Sequence, residues 1–223
     1  MVDLIHGLDP ASVRANLDRI RGEIASTGRD PASVEILAAV KYVPVEELPA
    51  LAAGGVTLVG ENRAQDLVAK VEASSGSFTW DFIGRLQSRK IKTIVPHVRY
   101  IHSVDSESVL AALERHARPG LEILIEVNVA EEEGKGGVAP AELEGYLARS
   151  PVPVVGLMTM PPLSGTPEAS RPYFAALREL GERYGLAQLS MGTSQDYVVA
   201  VEEGATIVRI GTNLYRQTAT RAP

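Results

Sequence analysis

The sequence predicts a single closed (β/α)8 barrel, a TIM-type α/β fold over residues 1–223, with one additional helix at its N-terminal end. Three observations lead there. Short, nearly continuous apolar runs recur eight times, at 34–40, 56–60, 78–84, 99–104, 121–129, 152–160, 188–192 and 205–210. Runs of this kind, rich in β-branched residues, suit parallel strands buried on both faces. Segments with helical spacing separate them, at 45–53, 62–73, 88–95, 106–117, 140–149, 168–184 and 194–203, which is the alternation of βα units. No linker, composition shift or low-complexity tract divides the chain. An open doubly wound sheet would also alternate, but closure uses every strand edge and matches the count.

The leading helix follows Asp9-Pro10, where Val13, Leu17, Ile20 and Ile24 recur at spacings of three and four, and it ends near Gly28. The first strand, 34–40, runs directly into Lys41. Helix 45–53 stops at Gly54, and later helices stop at Gly185 and Gly204, residues that tolerate the left-handed conformation past a helix end. The second strand ends at Gly60-Glu61-Asn62. In the helix after the fourth strand, Val109, Leu110 and Leu113 mark the buried face. The seventh and eighth strands close on Ser190-Met191-Gly192-Thr193-Ser194 and Arg209-Ile210-Gly211-Thr212-Asn213.

Composition excludes several classes of function. With 22 basic against 28 acidic residues and a net charge of −6, the chain lacks the basic footprint of a nucleic-acid binder. It has no cysteine, hence no disulfide framework, thiolate metal site or cysteine nucleophile. No apolar run reaches the roughly 20 residues needed to span a bilayer, and Met1–Pro10 does not read as a signal peptide. The expectation is a cytoplasmic protein with no membrane partner.

In such barrels the chemistry sits at the C-terminal ends of the strands. Lys41 delivers an ammonium group there, and lysine is the side chain whose pKa falls most readily on partial burial, freeing its amine to attack carbonyls. The alternative is a solvated lysine opening a loop. Asn62 supplies a donor and an acceptor at a helix start; it reads equally as a helix cap. The loops holding Ser190, Gly192 and Ser194, and Gly211 and Thr212, combine small residues with hydroxyls. Phosphate sites in these barrels are frequently built after strands seven and eight, so the two loops read as one phosphate cradle rather than two tight turns. Arg209 stands inside an apolar run and needs a partner, either a barrel carboxylate such as Glu61 or Glu126, or a ring nitrogen or phosphate of a ligand.

His6, His97, His102 and His116 show no metal-ligand spacing, and no metal site is expected. His102 and Asp105 follow the fourth strand towards the mouth, where helix capping by Ser103, Asp105 or Ser106 is the plainer reading. Arg85, Arg89, Lys90 and Lys92 read as a solvated helix face, and 131–137 as a glycine-rich lid.

Taken together, Ala39-Val40-Lys41, Gly60-Glu61-Asn62-Arg63-Ala64-Gln65, Trp80-Asp81-Phe82-Ile83-Gly84-Arg85, Ile101-His102-Ser103-Val104-Asp105, Gly156-Leu157-Met158-Thr159-Met160-Pro161 and the two final loops resemble the pyridoxal phosphate homeostasis protein family, the YggS/PROSC group related to the N-terminal barrel of alanine racemase. The resemblance runs through nearly the whole chain. It implies pyridoxal 5′-phosphate as cofactor, held as a Schiff base on Lys41. It further implies phosphate contacts from Ser190, Gly192, Ser194, Gly211 and Thr212, with Arg209 near the pyridine nitrogen and Asn62 at the second strand end. The implied role is a monomeric carrier or buffer in vitamin B6 homeostasis, serving pyridoxal-phosphate-dependent apo-enzymes, with no catalytic residue assigned. The alternative is an amino-acid racemase of low activity, which in the related fold takes a second base from a further domain. Three positions depart from the family pattern: Val40 where a serine often precedes the lysine, Thr193 in the Ser-Met-Gly-Met-Ser loop, and Tyr215-Arg216 after the last strand.

Overall fold

The computed structural model describes residues 4–163 and 165–217. Eight parallel strands, β1 (Glu35–Ala39), β2 (Leu58–Glu61), β3 (Thr79–Phe82), β4 (Tyr100–Val104), β5 (Glu122–Glu126), β6 (Val154–Met158), β7 (Gln188–Thr193) and β8 (Ile207–Ile210), hydrogen-bond in sequence order into a closed barrel. β1 meets β8 with Leu37 opposite Arg209. Each expected strand is present; all but β7 are shorter than their apolar runs because the run continues into the flanking turns, and β7 extends one residue further, to Thr193.

The helices are α1 (Pro10–Ser26), α2 (Leu48–Ala53), α3 (Ala64–Ser74), α4 (Ile91–Ile94), α5 (Glu107–His116), α6 (Leu143–Arg149), α7 (Arg171–Tyr184), α8 (Tyr197–Glu202) and α9 (Thr212–Tyr215). α1 starts as its sequence dictates: the Asp9 carboxylate accepts from the backbone of Ala11 and Ser12, and Pro10 occupies the first turn, where no N–H is needed. The additional helix is part of the outer layer. It packs on α2, α8 and α9, filling the ring where the helix after β8 is a single turn. Asn16 Nδ2 ties it there by donating to the carbonyls of Leu214 and Arg216.

Residues alternate between the two faces of a strand, and here the two faces have different chemistry. Outward residues such as Val59, Trp80, Ile101, Met191 and Val208 join the helices in one continuous apolar shell. Inside, apolar packing shrinks to a plug of Leu37, Leu58 and Ile207, flanked by Ile83 and Tyr100. The rest of the interior is polar: Asp81, His102, Ser190 and Arg209 are all buried there.

Candidate cofactor site at the barrel mouth

The end of β1 is held from three sides. Val40 donates its N–H to the Gly60 carbonyl (3.0 Å), and Val43 closes the turn on the Val40 carbonyl (2.9 Å). Lys70 of α3 donates to the same Val40 carbonyl (2.7 Å) and pairs with Glu61; both side chains are buried. Glu61 also accepts from the backbone N–H of Asn62 and Arg63. The third support is Tyr215, whose hydroxyl donates to the Ala39 carbonyl (3.0 Å). Burial, reinforced by the charge on Glu61, pushes the Tyr215 phenol well above its ordinary value, so it stays neutral. From this fixed turn Lys41 projects into the open, its Nζ 4.8 Å from the centre of the Tyr42 ring.

Across the mouth, β7 carries one more residue than β8 between Ser190 and Thr193, a bulge of the kind that re-aims side chains beside functional sites. Gly192 supplies the turn with φ of 87°, and a Cβ there would lie 2.5 Å from the Ala200 Cβ. Beyond the bulge, Asp196 accepts from the Thr193 N–H (2.7 Å) and from the Ser170 hydroxyl (2.9 Å). The Ser194 hydroxyl accepts from the N–H groups of Gly211 (3.1 Å) and Asn213 (3.4 Å), and Asn213 Nδ2 returns a hydrogen bond to the Ser194 carbonyl (2.7 Å). The two loops are therefore stitched into one rim.

Lys41, Asn62, Ser194, Arg209, Gly211 and Thr212 line a single pocket of about 360 Å3. Ser190 and Gly192 do not: Ser190 is buried beneath Arg209, and Gly192 is packed against α8. Thr193, Gln195, Met160 and Tyr215 also line the pocket and were not among the expected cofactor-binding residues. Thr193 and Gln195 flank a named serine; Met160 and Tyr215 carry no local signal that separates them from core residues.

Two buried polar groups belong to residues that line this space. The Asn62 Oδ1 is buried and has no hydrogen-bond partner, so an acceptor stands ready for a donor. Arg209 is buried and its guanidinium meets Ser190 Oγ (2.6 Å), the Thr159 carbonyl (2.9 Å) and Met160 Sδ (2.9 Å), none of them a carboxylate. Burial lowers its pKa to about 10, with Glu126 and Asp196 acting in the opposite sense, so it remains a cation at neutral pH. The partners suggested by sequence do not serve. Glu61 faces outward to α3, and Glu126 favours the Arg209 charge through its field without an ion pair between them. Glu126 has its own distinction: burial, with Asp105 nearby, raises its pKa to about 7. Loop 131–137 lies beside it, tied by hydrogen bonds between Asn128 and the Glu132 backbone (2.9 and 3.2 Å). His102 is not part of a cap; it is buried inside the barrel, and Ser106 caps α5 without a side-chain bond. Among the described residues no group of His, Cys, Asp and Glu side chains could hold a metal ion.

A guanidinium with no carboxylate in direct contact, a buried acceptor without a partner and a hydroxyl-bearing rim, in the pocket that Lys41 also lines, fit a small anionic molecule.

The fold defines the class. Alanine racemase of Corynebacterium glutamicum superimposes with a TM-score of 0.71 at 15% identity, covering 100% of this chain and 65% of that one, a likeness of fold alone. No family model matches the chain. The pyridoxal phosphate homeostasis protein of Aquifex aeolicus is 43% identical over 213 residues, covering 89% of this chain and 93% of that protein. PipY of Synechococcus elongatus matches both without pyridoxal phosphate (TM-score 0.80, 32% identity) and with it bound (0.77, 30%), each over 92% of this chain and 100% of PipY. The chain belongs to the pyridoxal phosphate homeostasis protein family.

Proposed function

We propose that this chain binds pyridoxal 5′-phosphate reversibly as a Schiff base on Lys41 and acts in vitamin B6 homeostasis as a carrier or buffer. One observation carries the reading: the Lys41 amine, the Arg209 guanidinium, Asn62 and the two hydroxyl-bearing loops line the same pocket of about 360 Å3. When bound, the cofactor supplies an aldehyde that condenses with amines and a ring that can withdraw electrons.

The residues of the chain account for holding rather than turnover. Lys41, on its braced turn, is the nucleophile. Ser194, Gly211 and Thr212 face the anionic end, and Asn62 Oδ1 accepts a hydrogen bond from the ligand. Arg209 presents a permanent N–H donor to the ring nitrogen; a cation there keeps that nitrogen unprotonated and weakens the ring as an electron sink. Ser190 and Gly192 act behind this surface, the first through Arg209 and the second by shaping the loop. The family resemblance supports the remaining parts of the proposal: one domain over residues 1–223, a monomer in the cytoplasm, and delivery to pyridoxal-phosphate-dependent apo-enzymes. No helix among the described residues is long and apolar enough to cross a membrane.

The test is spectroscopic. Purified protein mixed with pyridoxal 5′-phosphate is expected to turn yellow, and Lys41→Ala to lose the visible band. Borohydride reduction should leave the adduct on the peptide carrying Lys41. An undiminished band in Lys41→Ala rejects the assignment. Interconversion of alanine enantiomers at about 1–1000 per second would replace the carrier with a racemase.

A further inference from the structure

The barrel interior contains an unbroken file of hydrogen bonds from its lower end to the pocket. Glu35, at the start of β1, takes Arg99 in a two-pronged contact (2.6 and 3.1 Å). Arg99 also grips Asp81 on β3 (2.8 and 3.2 Å). Asp81 Oδ2 meets His102 Nε2 on β4 (3.2 Å), His102 Nδ1 meets Ser190 Oγ on β7 (2.9 Å), and Ser190 Oγ meets Arg209 Nη1 on β8 (2.6 Å). Asp81, His102 and Ser190 are fully buried.

From Arg209 as far as Asp81 the donors and acceptors of this file can be assigned in one consistent direction. A guanidinium only donates, so Arg209 gives its proton to Ser190 Oγ. The Ser190 hydroxyl hydrogen is then free to point at His102 Nδ1, which must be the unprotonated nitrogen. His102 Nε2–H donates to Asp81, whose oxygens also accept from Arg99 and from the Tyr100 N–H (3.1 Å). From Arg209 to Asp81 every hydrogen bond thus runs inward from the mouth, and Arg99 donates to Asp81 from the opposite side. Burial holds His102 below the usual imidazole range despite the Asp81 carboxylate. Burial also works against the Asp81 charge, but the hydrogen bonds from His102 and Arg99 outweigh it and keep the carboxyl ionised.

We propose that Asp81 and His102 are positioning residues for Arg209, acting through Ser190, which fix the guanidinium in the pocket with no carboxylate in direct contact with it. The design has a physical rationale. A carboxylate in direct contact with Arg209 would occupy its forked N–H groups and cancel its field at the pocket. A neutral serine and a neutral histidine lock the orientation yet leave the positive charge facing the ligand. The proposal deepens the cofactor reading above and rests on it for the ligand.

Two measurements on the full chain test it. In the first, NMR of 15N-histidine protein without added cofactor is expected to show His102 as the neutral Nε2–H tautomer at neutral pH, with its Nδ1 signal displaced in Ser190→Ala. A His102 protonated on Nδ1, or on both nitrogens at neutral pH, overturns the proposal. In the second, pyridoxal 5′-phosphate is titrated into wild type, Ser190→Ala and His102→Gln, following affinity and the visible circular dichroism of the bound chromophore. Both variants are expected to bind about tenfold more weakly with an altered dichroic signature. Ile24→Val, which loosens the outer core, lowers the melting temperature and leaves that signature intact. Wild-type affinity and dichroism in Ser190→Ala overturn the positioning role. A wild-type protein that takes up no cofactor defeats the cofactor reading instead, and the histidine spectrum still decides the tautomer and direction of the file.

Discussion

On the outward face of the strands, Val59, Trp80, Ile101 and Val208 press into the helices; on the inward face of the same or adjacent strands stand Asp81, His102, Ser190 and Arg209. The outward face is held by bulk and contact, which are non-directional and tolerate a change of similar volume. The inward face is held by specific donors and acceptors, where the loss of one group strands its partner. One strand therefore obeys two rules on alternate residues, and single substitutions should separate them.

The largest expected effect is inside. Asp81→Ala leaves Arg99 and His102 without their shared acceptor and is expected to cost about 3–5 kcal/mol, as measured by denaturant unfolding at neutral pH. A cost comparable to that of an exposed residue would erase the distinction between the faces.

Glu126→Gln should move stability the other way and reveal the pH dependence of the interior. The folded pKa of Glu126 is raised to about 7, so its stabilising contribution is present below the ordinary carboxylate pKa and is lost as pH rises through about 7. The variant is therefore expected to gain up to about 3 kcal/mol over wild type at pH 8 and nothing at pH 4.5. His102 and Asp81 have depressed pKa values, so their contributions are present at higher pH and are lost as pH falls. In wild type the gain from Glu126 offsets the loss from His102 below about pH 6.5; in Glu126→Gln stability should hold from pH 8 to about 6.5 and fall below it. Equal pH profiles for the two proteins would show that Glu126 ionises freely.

On the outer face, Ile101→Val removes one methylene next to His102 in sequence and should cost about 1 kcal/mol, with no change in the His102 spectrum. The smallest effect belongs to Leu163, which is 97% exposed: Leu163→Ser should shift stability by less than about 0.5 kcal/mol.

Most strand ends were legible because a charge or a glycine terminates the apolar run, and Lys41 and Asn62 emerged on that ground, while Arg209 stood out as a charge inside a run. Asp81 and His102 carried the same signal as Arg209, a polar residue inside an apolar run, in Trp80-Asp81-Phe82 and Ile101-His102-Ser103; applied evenly, it would have marked them as interior. Lys70 had no such mark, because a lysine on an amphipathic helix is ordinarily solvated, and only the outward turn of Glu61 buries it. Ser190 was read as the start of the loop after the seventh strand, but it lies inside β7, whose register puts it under Arg209 instead of in the pocket wall.

What the sequence determined by itself is local: the eight apolar runs, the order of helices between them, the cap on α1, and the chemistry waiting at each strand end. These follow from hydropathy period and turn residues, which are properties of neighbouring positions. Which inward side chains meet was decided only by closure of the sheet. His102 and Ser190 are 88 residues apart, and Ser190 and Arg209 are 19 apart. Their contact depends on the stagger of the strands and the bulge in β7, a geometry that no local pattern encodes.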